Sequence, residues 1–527
     1  MKRILIINLR RFGDIFYSAP VIGGLLEKYP TAEISYLTYQ ESVRAARVFS
    51  QLNNLFTIDR EKIGILLKGG PFSLAHAFRE LRNCLQEVGF DWDLIVNVSN
   101  CSVSAYLTSY LSQSKENYKG VRYNCKGVLE FSDDWIAWAN ELMVDLTLTP
   151  YSYMEIFHKS LALNPISQSQ VKLVLSEEHE NSTRKVFSKL LEFRATDSIY
   201  VVAMQLSAST SEKSASFEEA KEIIQSIFEH PNLYPVLLVG PSEDERACAK
   251  ALNAVLENSL FVVDSDFIGL NSVLNSVDLL LTVDTSIKHL AAIQNTKMLE
   301  LHFNPNLLFK MPANSGSQIV LIDRLKVAGD FTSCAQFIAE SCSNRLQGVS
   351  LSGTAPLGVS LFEYALDRGF ALLKTSSQEI REMHAYYSYH RACVALALEI
   401  KLQPLLYNVS KELLTEYREI LSNILKAYRE INQNGETSAS KIFKVLNDLE
   451  PTNYGMSPFK TLLVVRKAQT LSKFSNDIEY NRNIFKDFLM SLKDEFAELK
   501  QQIVTKQEDA PATDRSISTR SRGEYEI

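Results

Sequence analysis

Two blocks of the chain alternate short apolar runs with amphipathic stretches. The strand-length apolar runs lie at 3–8, 33–38, 56–59 and 94–98 in the first block, and at 199–204, 235–240, 260–264, 277–283 and 297–302 in the second. Helical patterns around 41–49 and 72–88 separate the runs of the first block. Short apolar runs alternating with helices are typical of parallel sheets that are covered by helices on both faces. We therefore predict an α/β protein with two Rossmann-like halves.

Helical periodicity replaces this alternation after about residue 330. A long helical stretch opens with capping-box spacing at Ser376, and apolar side chains at 413–431 and 485–503 repeat at helical spacing. These stripes predict packing against the sheets, or a surface for an oligomer or a protein partner. We expect an N-terminal domain at 1–170, a second sheet domain at 171–335, an α-helical region at 336–505 and a disordered tail at 506–527.

Composition narrows the class of protein. The chain has 527 residues, 46% of them hydrophobic and 22% charged, so it is too long for one core and has the balance of an ordinary globular protein. Its net charge of −7 argues against a nucleic-acid partner. No apolar run approaches the roughly 18 residues that a membrane-spanning helix needs. Seven scattered cysteines without a secretory leader indicate reduced thiols, so we expect a cytoplasmic protein.

An aspartate follows the first predicted strand. The strand leads into a glycine-containing loop, and Asp14 stands next to Gly13 at the start of a helical stretch. In an open α/β sheet this is the carboxyl end of a strand, where ligands bind. Asp14 is therefore either a helix N-cap or a carboxylate that acts on a ligand.

A second strand-to-helix junction has the character of an anion site. The apolar run 277–283 leads into Asp284, Thr285 and Ser286 at the start of a short helix that contains His289. The first turn of a helix has unpaired N–H groups and the positive end of the dipole, which suit a diphosphate. His289 is expected to orient this loop or to form a buried hydrogen bond.

Two Asp-x-Asp pairs match a metal-binding motif of other glycosyltransferases. Asp91 and Asp93 precede a predicted strand, whereas Asp264 and Asp266 follow one. Such positions are typical of turn residues at sheet edges. We expect no metal site at either pair.

Taken in order, four segments resemble glycosyltransferase family 9, the ADP-heptose:lipopolysaccharide heptosyltransferases, over about residues 1–330. The segments are Phe12-Gly13-Asp14 followed by Pro20, 205–209 through Lys213, 239–243, and 284–291. The resemblance implies the GT-B architecture, in which two Rossmann-like domains with parallel sheets face each other across a cleft. It also implies an inverting transfer that uses no metal or other cofactor.

The resemblance assigns roles to individual residues. Asp14 corresponds to the proposed general base. The donor-binding residues that it implies are Lys213, Glu243, Asp284, Thr285, Ser286 and His289, with Glu245 as a rival for the role of Glu243. The implied donor is a nucleoside-diphosphate sugar, ADP-heptose above all, and the acceptor is a lipopolysaccharide-type, lipid-linked or other glycan. Such an acceptor suggests peripheral contact with the inner face of the cytoplasmic membrane.

Departures from the family pattern leave other functions open. Ser286 stands where the family usually has glycine, and Lys288 beside His289 either helps to hold phosphate or is only solvated. A catalytically degenerate member that serves as a binding or scaffolding module is the main alternative. A transferase that acts on a protein hydroxyl is another.

Overall fold

The structure is a computed structural model. It describes residues 1–112, 114, 116–142, 151–164, 171–197, 199–240, 242–257, 259–303, 311, 316–327, 331–365, 369–399, 419–420, 422–423, 426, 458–471, 473 and 478–508. The chain divides into two compact units. Unit 1 comprises Met1–Gly120 and Thr147–His384, and unit 2 comprises Val121–Leu146 and Ala385–Ile527.

Strands and helices alternate through most of unit 1. The strands are β1 (Arg3–Ile7), β2 (Glu33–Tyr39), β3 (Asn54–Ile58), β4 (Leu94–Asn97), β5 (Tyr118–Lys119), β6 (Val121–Tyr123), β7 (Leu129–Phe131), β8 (Tyr200–Gln205), β9 (Leu233–Val239), β10 (Phe261–Asp264), β11 (Leu279–Val283), β12 (Lys297–His302), β13 (Ser317–Ile322), β14 (Val359–Ala365) and β15 (Gly369–Thr375). The helices are α1 (Phe12–Tyr17), α2 (Ala19–Lys28), α3 (Val43–Ala46), α4 (Arg60–Lys68), α5 (Pro71–Val88), α6 (Ser102–Leu111), α7 (Asp134–Leu142), α8 (Tyr153–Leu161), α9 (Glu177–Asp197), α10 (Phe217–Glu229), α11 (Glu243–Val255), α12 (Phe267–Leu274), α13 (Ser286–Ile293), α14 (Arg324–Val327), α15 (Phe331–Gln347), α16 (Gln378–Glu399), α17 (Pro458–Leu471) and α18 (Ile478–Glu508).

The first sheet is parallel and has the strand order β3-β2-β1-β4-β5. Its central strand β1 is apolar throughout, and Ile4, Leu5, Ile6 and Ile7 are fully buried. A parallel strand that is covered on both faces needs such a continuous apolar run. The carboxyl end of β1 leads directly into α1.

The second sheet has eight strands in the order β10-β9-β8-β11-β12-β13-β14-β15. Its first six strands are parallel, which repeats the Rossmann-like order of the first sheet. The prediction of an α/β fold with two Rossmann-like sheets is confirmed.

An antiparallel pair extends the second sheet into the region that we expected to be helical. Strands β14 and β15 pair with each other, and β14 pairs with β13. Their aliphatic and aromatic residues are bounded by Gly358 and Gly369, both of which have positive φ angles. Residues 359–375 are therefore sheet, and the expectation of helix alone after residue 330 is wrong there. The domain boundaries at 170 and 335 stay a prediction.

Unit 2 contains a small helical core. In it, α17 packs against both α7 and α18, and Arg466 binds Asp134 at 2.9 Å and Glu495 at 2.7 Å. Four members of the predicted C-terminal stripe are buried inside the chain: Phe485, Phe488, Leu492 and Phe496. Because they are buried, these four side chains are not a surface for a partner.

Two sequence expectations fall mostly outside the described residues. The stripe predicted at 413–431 is described at only a few positions, and the tail is described only to Glu508, where α18 ends. Within the described helices, none combines the length and apolar character that a bilayer span requires.

Candidate active site

The two sheet halves of unit 1 meet where α1 and α13 begin. A Cβ atom on Gly13 would lie 3.4 Å from Cα of Ser286, so the two helices are in van der Waals contact. Behind this contact, the Tyr17 ring packs on the His289 ring with centroids 4.6 Å apart. The first turn of α1, which carries Asp14, is thereby brought beside the 284–289 segment.

Asp14 is not the N-cap of α1. Arg11 occupies the N-cap position, and Asp14 is the third residue of the helix. Its backbone carbonyl accepts a hydrogen bond from the Asn8 amide at 3.0 Å, which fixes the turn. The interpretation of Asp14 as only a cap is therefore wrong.

Phenol groups surround the Asp14 carboxylate. Burial raises the pKa of Tyr17 and Tyr153 far above the ordinary value, and the negative charge of Asp14 adds to this rise. Both phenols consequently stay protonated at neutral pH. Asp14 itself is half-buried at the carboxyl edge of the first sheet, as the sequence predicts.

The start of α13 accepts serine in place of glycine. Thr285 is the N-cap residue in an extended conformation, and Ser286 is the first helical residue with an ordinary negative φ. Glycine is needed only where φ is positive or where the backbone must approach a ligand very closely. Ser286 therefore imposes no backbone strain, and the N–H groups of the first turn point away from the helix.

A chain of alternating charges runs from the surface into the core behind this helix start. Lys213 Nζ lies 2.5 Å from Asp284 Oδ2, and Asp284 Oδ1 lies 2.6 Å from Lys288 Nζ. Lys288 Nζ also lies 2.5 Å from Glu300 Oε1, which is 2.7 Å from His302 Nε2. Lys288, Glu300 and His302 are fully buried, whereas the Lys213 side chain is 31% exposed.

The charges in this chain sustain one another. Burial alone would raise the pKa of Asp284, but Lys288, with His302 and Lys213, holds it well below its ordinary value. Burial also opposes the charge on Lys288, yet Asp284 and Glu300 raise its pKa. The pKa of Glu300 is lowered by Lys288 and His302 despite burial. All three groups are therefore ionised at neutral pH.

Lys288 thus has neither role that the sequence suggested. It is neither solvated nor directed at a phosphate, because it is paired with two buried or half-buried carboxylates. One signal was present in the sequence, since Asp284 and Lys288 are four residues apart on a helix and so lie on one face. The partners Glu300 and His302 lie on β12 and could not be identified from spacing.

Arg324 holds the loop that carries Lys213. Its guanidinium donates to both oxygens of Glu219 at 2.8 and 2.6 Å, and to the backbone carbonyls of Ser214 at 2.6 Å and Glu212 at 3.3 Å. Burial would raise the pKa of Glu219, but hydrogen bonds, chiefly from Arg324, lower it overall. Sequence reasoning missed this pair, because the two residues are far apart in the chain.

The acidic residues at the start of α11 differ in placement. Glu243 is exposed, whereas the carboxylate of Glu245 turns back onto Gly240, where a Cβ atom would collide with it. Glu245 lines a small, largely apolar cavity whose other walls include Leu206, Ala215 and Cys248. Its Oε2 atom is buried without a hydrogen-bond partner among the described residues. This geometry favours Glu245 over Glu243 as the acidic residue of a ligand site.

The Asp-x-Asp pairs have structural partners. Asp93 accepts a hydrogen bond from the backbone N–H of Arg3 at 2.7 Å. Asp266 caps α12 by accepting from the Gly269 N–H at 2.8 Å. Within the described part of the chain, no three His, Cys, Asp or Glu side chains group as metal ligands.

Comparison with known proteins identifies the family. The family model described as glycosyltransferase family 9 (heptosyltransferase) matches residues 78–331. Residues 78–331 belong to glycosyltransferase family 9. The family 9 region contains Lys213 and the 284–289 segment, and it makes the chain a glycosyltransferase. It begins after Asp14, so the family match does not itself cover the candidate base.

Individual relatives are distant. The chain is 22% identical over 309 residues to lipopolysaccharide heptosyltransferase 3 of Escherichia coli, which covers 58% of this chain and 84% of that protein. A family 9 glycosyl transferase structure from Veillonella parvula is 15% identical, covers 66% of this chain and 98% of that chain, and has a TM-score of 0.49. The structure of E. coli ADP-heptose lipopolysaccharide heptosyltransferase II is 16% identical, with coverages of 66% and 99% and a TM-score of 0.42.

Proposed function

We propose that this family 9 glycosyltransferase moves a sugar from a nucleoside diphosphate to an acceptor hydroxyl, with inversion and without a metal ion. One observation carries the proposal. The helix that bears Asp14 contacts the start of α13, beside which Lys213 is paired with Asp284. A carboxylate base and a cationic diphosphate site are thus adjacent, as a single displacement requires.

On the donor side, the site must take up negative charge as the diphosphate leaves. Lys213 and the N–H groups at Thr285 and Ser286 are the groups proposed to receive it, since preorganised donors of this kind lower barriers by a few kcal/mol each. Lys213 is ion-paired with Asp284 when no donor is bound. When Lys213 turns to a phosphate, Asp284 keeps Lys288 as its counter-ion, so no bare carboxylate is left behind.

On the acceptor side, Asp14 is proposed to take the proton of the attacking hydroxyl. The acceptor oxygen then forms a bond to the anomeric carbon, and the bond from that carbon to the phosphate oxygen breaks. The electron pair of the broken bond stays on the leaving diphosphate. Attack from the face opposite to the leaving group inverts the anomeric centre.

The nucleoside is proposed to occupy the cavity beside Glu245. An ionised carboxylate accepts hydrogen bonds, and ribose hydroxyls donate them, so Glu245 suits the ribose of the donor. We propose ADP-heptose as the donor because the family and the E. coli relative are heptosyltransferases. The proposed acceptor is a lipopolysaccharide-type or lipid-linked glycan at the inner face of the cytoplasmic membrane.

Replacing the proposed base tests the mechanism. Asp14→Asn removes the proton acceptor but keeps the size of the side chain, so we expect kcat to fall by about 10²–10⁴. The dissociation constant for ADP-heptose should change little, because Asp14 faces the acceptor. Release of ADP and the mass of a glycan acceptor measure turnover, and calorimetry measures binding. Asp59→Asn, at an exposed N-cap of α4, is the matched control.

Two results would contradict this function. Wild-type turnover in Asp14→Asn would exclude Asp14 as the base. Donor binding by the wild type without transfer to any acceptor would favour the scaffolding alternative. Sugar mass on a co-expressed protein, but not on a glycan, would instead identify a protein acceptor.

A further inference from the structure

Helices α4 and α5 form a hairpin whose tip is unusually apolar and exposed. No residue of α4, which is described over its full length, is buried, although the helix contains four aliphatic side chains besides glycine. At the start of α5, Phe72 is 88% exposed and Phe78 is 62% exposed. We define the hairpin tip by its five exposed apolar residues: Ile65, Leu67, Phe72, Leu74 and Phe78.

The hairpin projects from the same sheet edge that carries Asp14. The two helices are antiparallel, because Lys62 of α4 pairs with Glu80 of α5 at 2.7 Å and the turn between them is Gly69-Gly70. An 18-residue helix such as α5 is about 27 Å long, whereas the five-residue strand β3, against which it packs, spans roughly 17 Å. Since α5 ends at the amino edge of the sheet, its first turns extend about 10 Å beyond the carboxyl edge.

The hairpin is basic in a protein that is acidic. Five Lys or Arg residues face three Glu residues within the hairpin, whereas the whole chain has a net charge of −7. The basic residues are Arg60, Lys62, Lys68, Arg79 and Arg82. Lys68 lies at the tip itself, next to the exposed apolar side chains.

We propose that the hairpin tip docks onto an anionic lipid surface. Exposed aromatic and aliphatic side chains that are flanked by basic residues gain both from burial at the headgroup boundary and from the negative surface potential. The tip projects from the sheet, so it suits a flat bilayer boundary better than a groove in another protein. Docking of the tip would turn the carboxyl edge of the first sheet, and Asp14 with it, towards the membrane.

Vesicle flotation of the full chain tests this proposal. The probes are vesicles of phosphatidylcholine with about 30% phosphatidylglycerol, and vesicles of phosphatidylcholine alone. We expect the wild type to float with the anionic vesicles, and Phe72→Ser/Phe78→Ser to partition at least about tenfold less. Lys68→Gln/Arg79→Gln should lose most of the preference for phosphatidylglycerol. Leu357→Ser, at a residue 70% exposed away from the hairpin, is the matched control and should float like the wild type.

The proposal is overturned if the wild type floats with neither vesicle, or if Phe72→Ser/Phe78→Ser floats as the wild type does. It is also overturned if sedimentation finds a dimer that this double variant abolishes while no vesicle binds. Thermal unfolding checks that each variant is folded. Flotation needs neither donor nor acceptor, so its outcome is independent of the proposed transferase reaction.

Discussion

At the residue scale, Asp284 is placed between two cations with different freedom. Lys288 is fully buried and fixed on the same helix, whereas Lys213 is partly exposed on a loop. A diphosphate competes with Asp284 for Lys213. Lys288 lowers the cost of that exchange, because Asp284 remains paired after Lys213 has left. Lys288 is therefore a positioning residue rather than one that touches the donor.

Lys288→Met should weaken ADP-heptose binding by about tenfold, a difference of 1.4 kcal/mol, because Asp284 would then retain Lys213. The same change leaves Glu300 buried without its lysine, which should lower the free energy of unfolding by about 3–5 kcal/mol. Lys288→Met/Glu300→Gln should recover most of that stability but not the affinity. Denaturant unfolding and calorimetry measure the two effects. An affinity equal to that of the wild type in both variants would refute the positioning role.

The residues that touch across one strand-to-helix turn could be predicted from the sequence. Asp14 and the 284–289 segment follow apolar strands, and parallel strands bring their carboxyl ends to one edge. The partners of Lys288 could not be predicted, because Glu300 and His302 reach it from a neighbouring strand. Their alternation on β12 resembles that of any buried strand with polar residues. The preference for Glu245 over Glu243 also depends on a side-chain direction that spacing does not give.

At the element scale, the Lys213 loop depends on a short helix that follows a distant strand. Arg324 lies at the start of α14, after β13, and binds Glu219 near the start of α10 as well as two carbonyls of the loop. These bonds fix the loop at both ends of the turn that carries Lys213. Order in this loop is therefore supplied from outside it.

Arg324→Met should raise the dissociation constant for ADP-heptose several-fold, because Lys213 would have to be ordered when the donor binds. Arg345→Met is a matched control, since Arg345 also donates to a backbone carbonyl, that of Gly316, but lies away from the loop. Calorimetry on both variants measures the effect. Equal affinities in the two variants would exclude a role for Arg324 in positioning the loop.

The strands of both sheets were predictable to within a few residues, because each is an apolar run bounded by polar turns. The predicted helix at 41–49 is shorter than expected: a 3₁₀ turn at Gln40–Ser42 is followed by α3 over only four residues. Strands β14 and β15 were missed because they follow a long helix and are antiparallel additions at the sheet edge. The glycines at 358 and 369 were the signal that could have indicated them.

At the scale of the whole molecule, unit 1 contains every residue proposed for catalysis and donor binding. The first half supplies Asp14, and the second half supplies Lys213, Asp284 and the start of α13. A buried hydrogen bond at 2.9 Å from Tyr364 on β14 to Glu155 on α8 also joins the two halves. The added antiparallel strands therefore help to connect the halves between which the site lies.

The family 9 match alone does not account for this arrangement. The matched range starts at residue 78, so β1, α1 and the α4 helix of the hairpin lie before it. Asp14 gains its proposed role from the contact between Gly13 and Ser286 rather than from the match. The central claim is accordingly that a diphosphate site at Lys213 and α13 exists beside Asp14.

Calorimetric titration of ADP-heptose into the wild type and Lys213→Ala tests that claim most directly, with ADP, UDP and GDP as comparison ligands. We expect ADP-heptose and ADP to bind the wild type, and Lys213→Ala to weaken both by at least about tenfold, since a charge-assisted contact to phosphate contributes about 1.5–3 kcal/mol. Lys250→Ala, at an exposed lysine on α11, should bind as the wild type does. Absence of binding to every nucleotide, or equal affinity in Lys213→Ala and the wild type, would contradict the account.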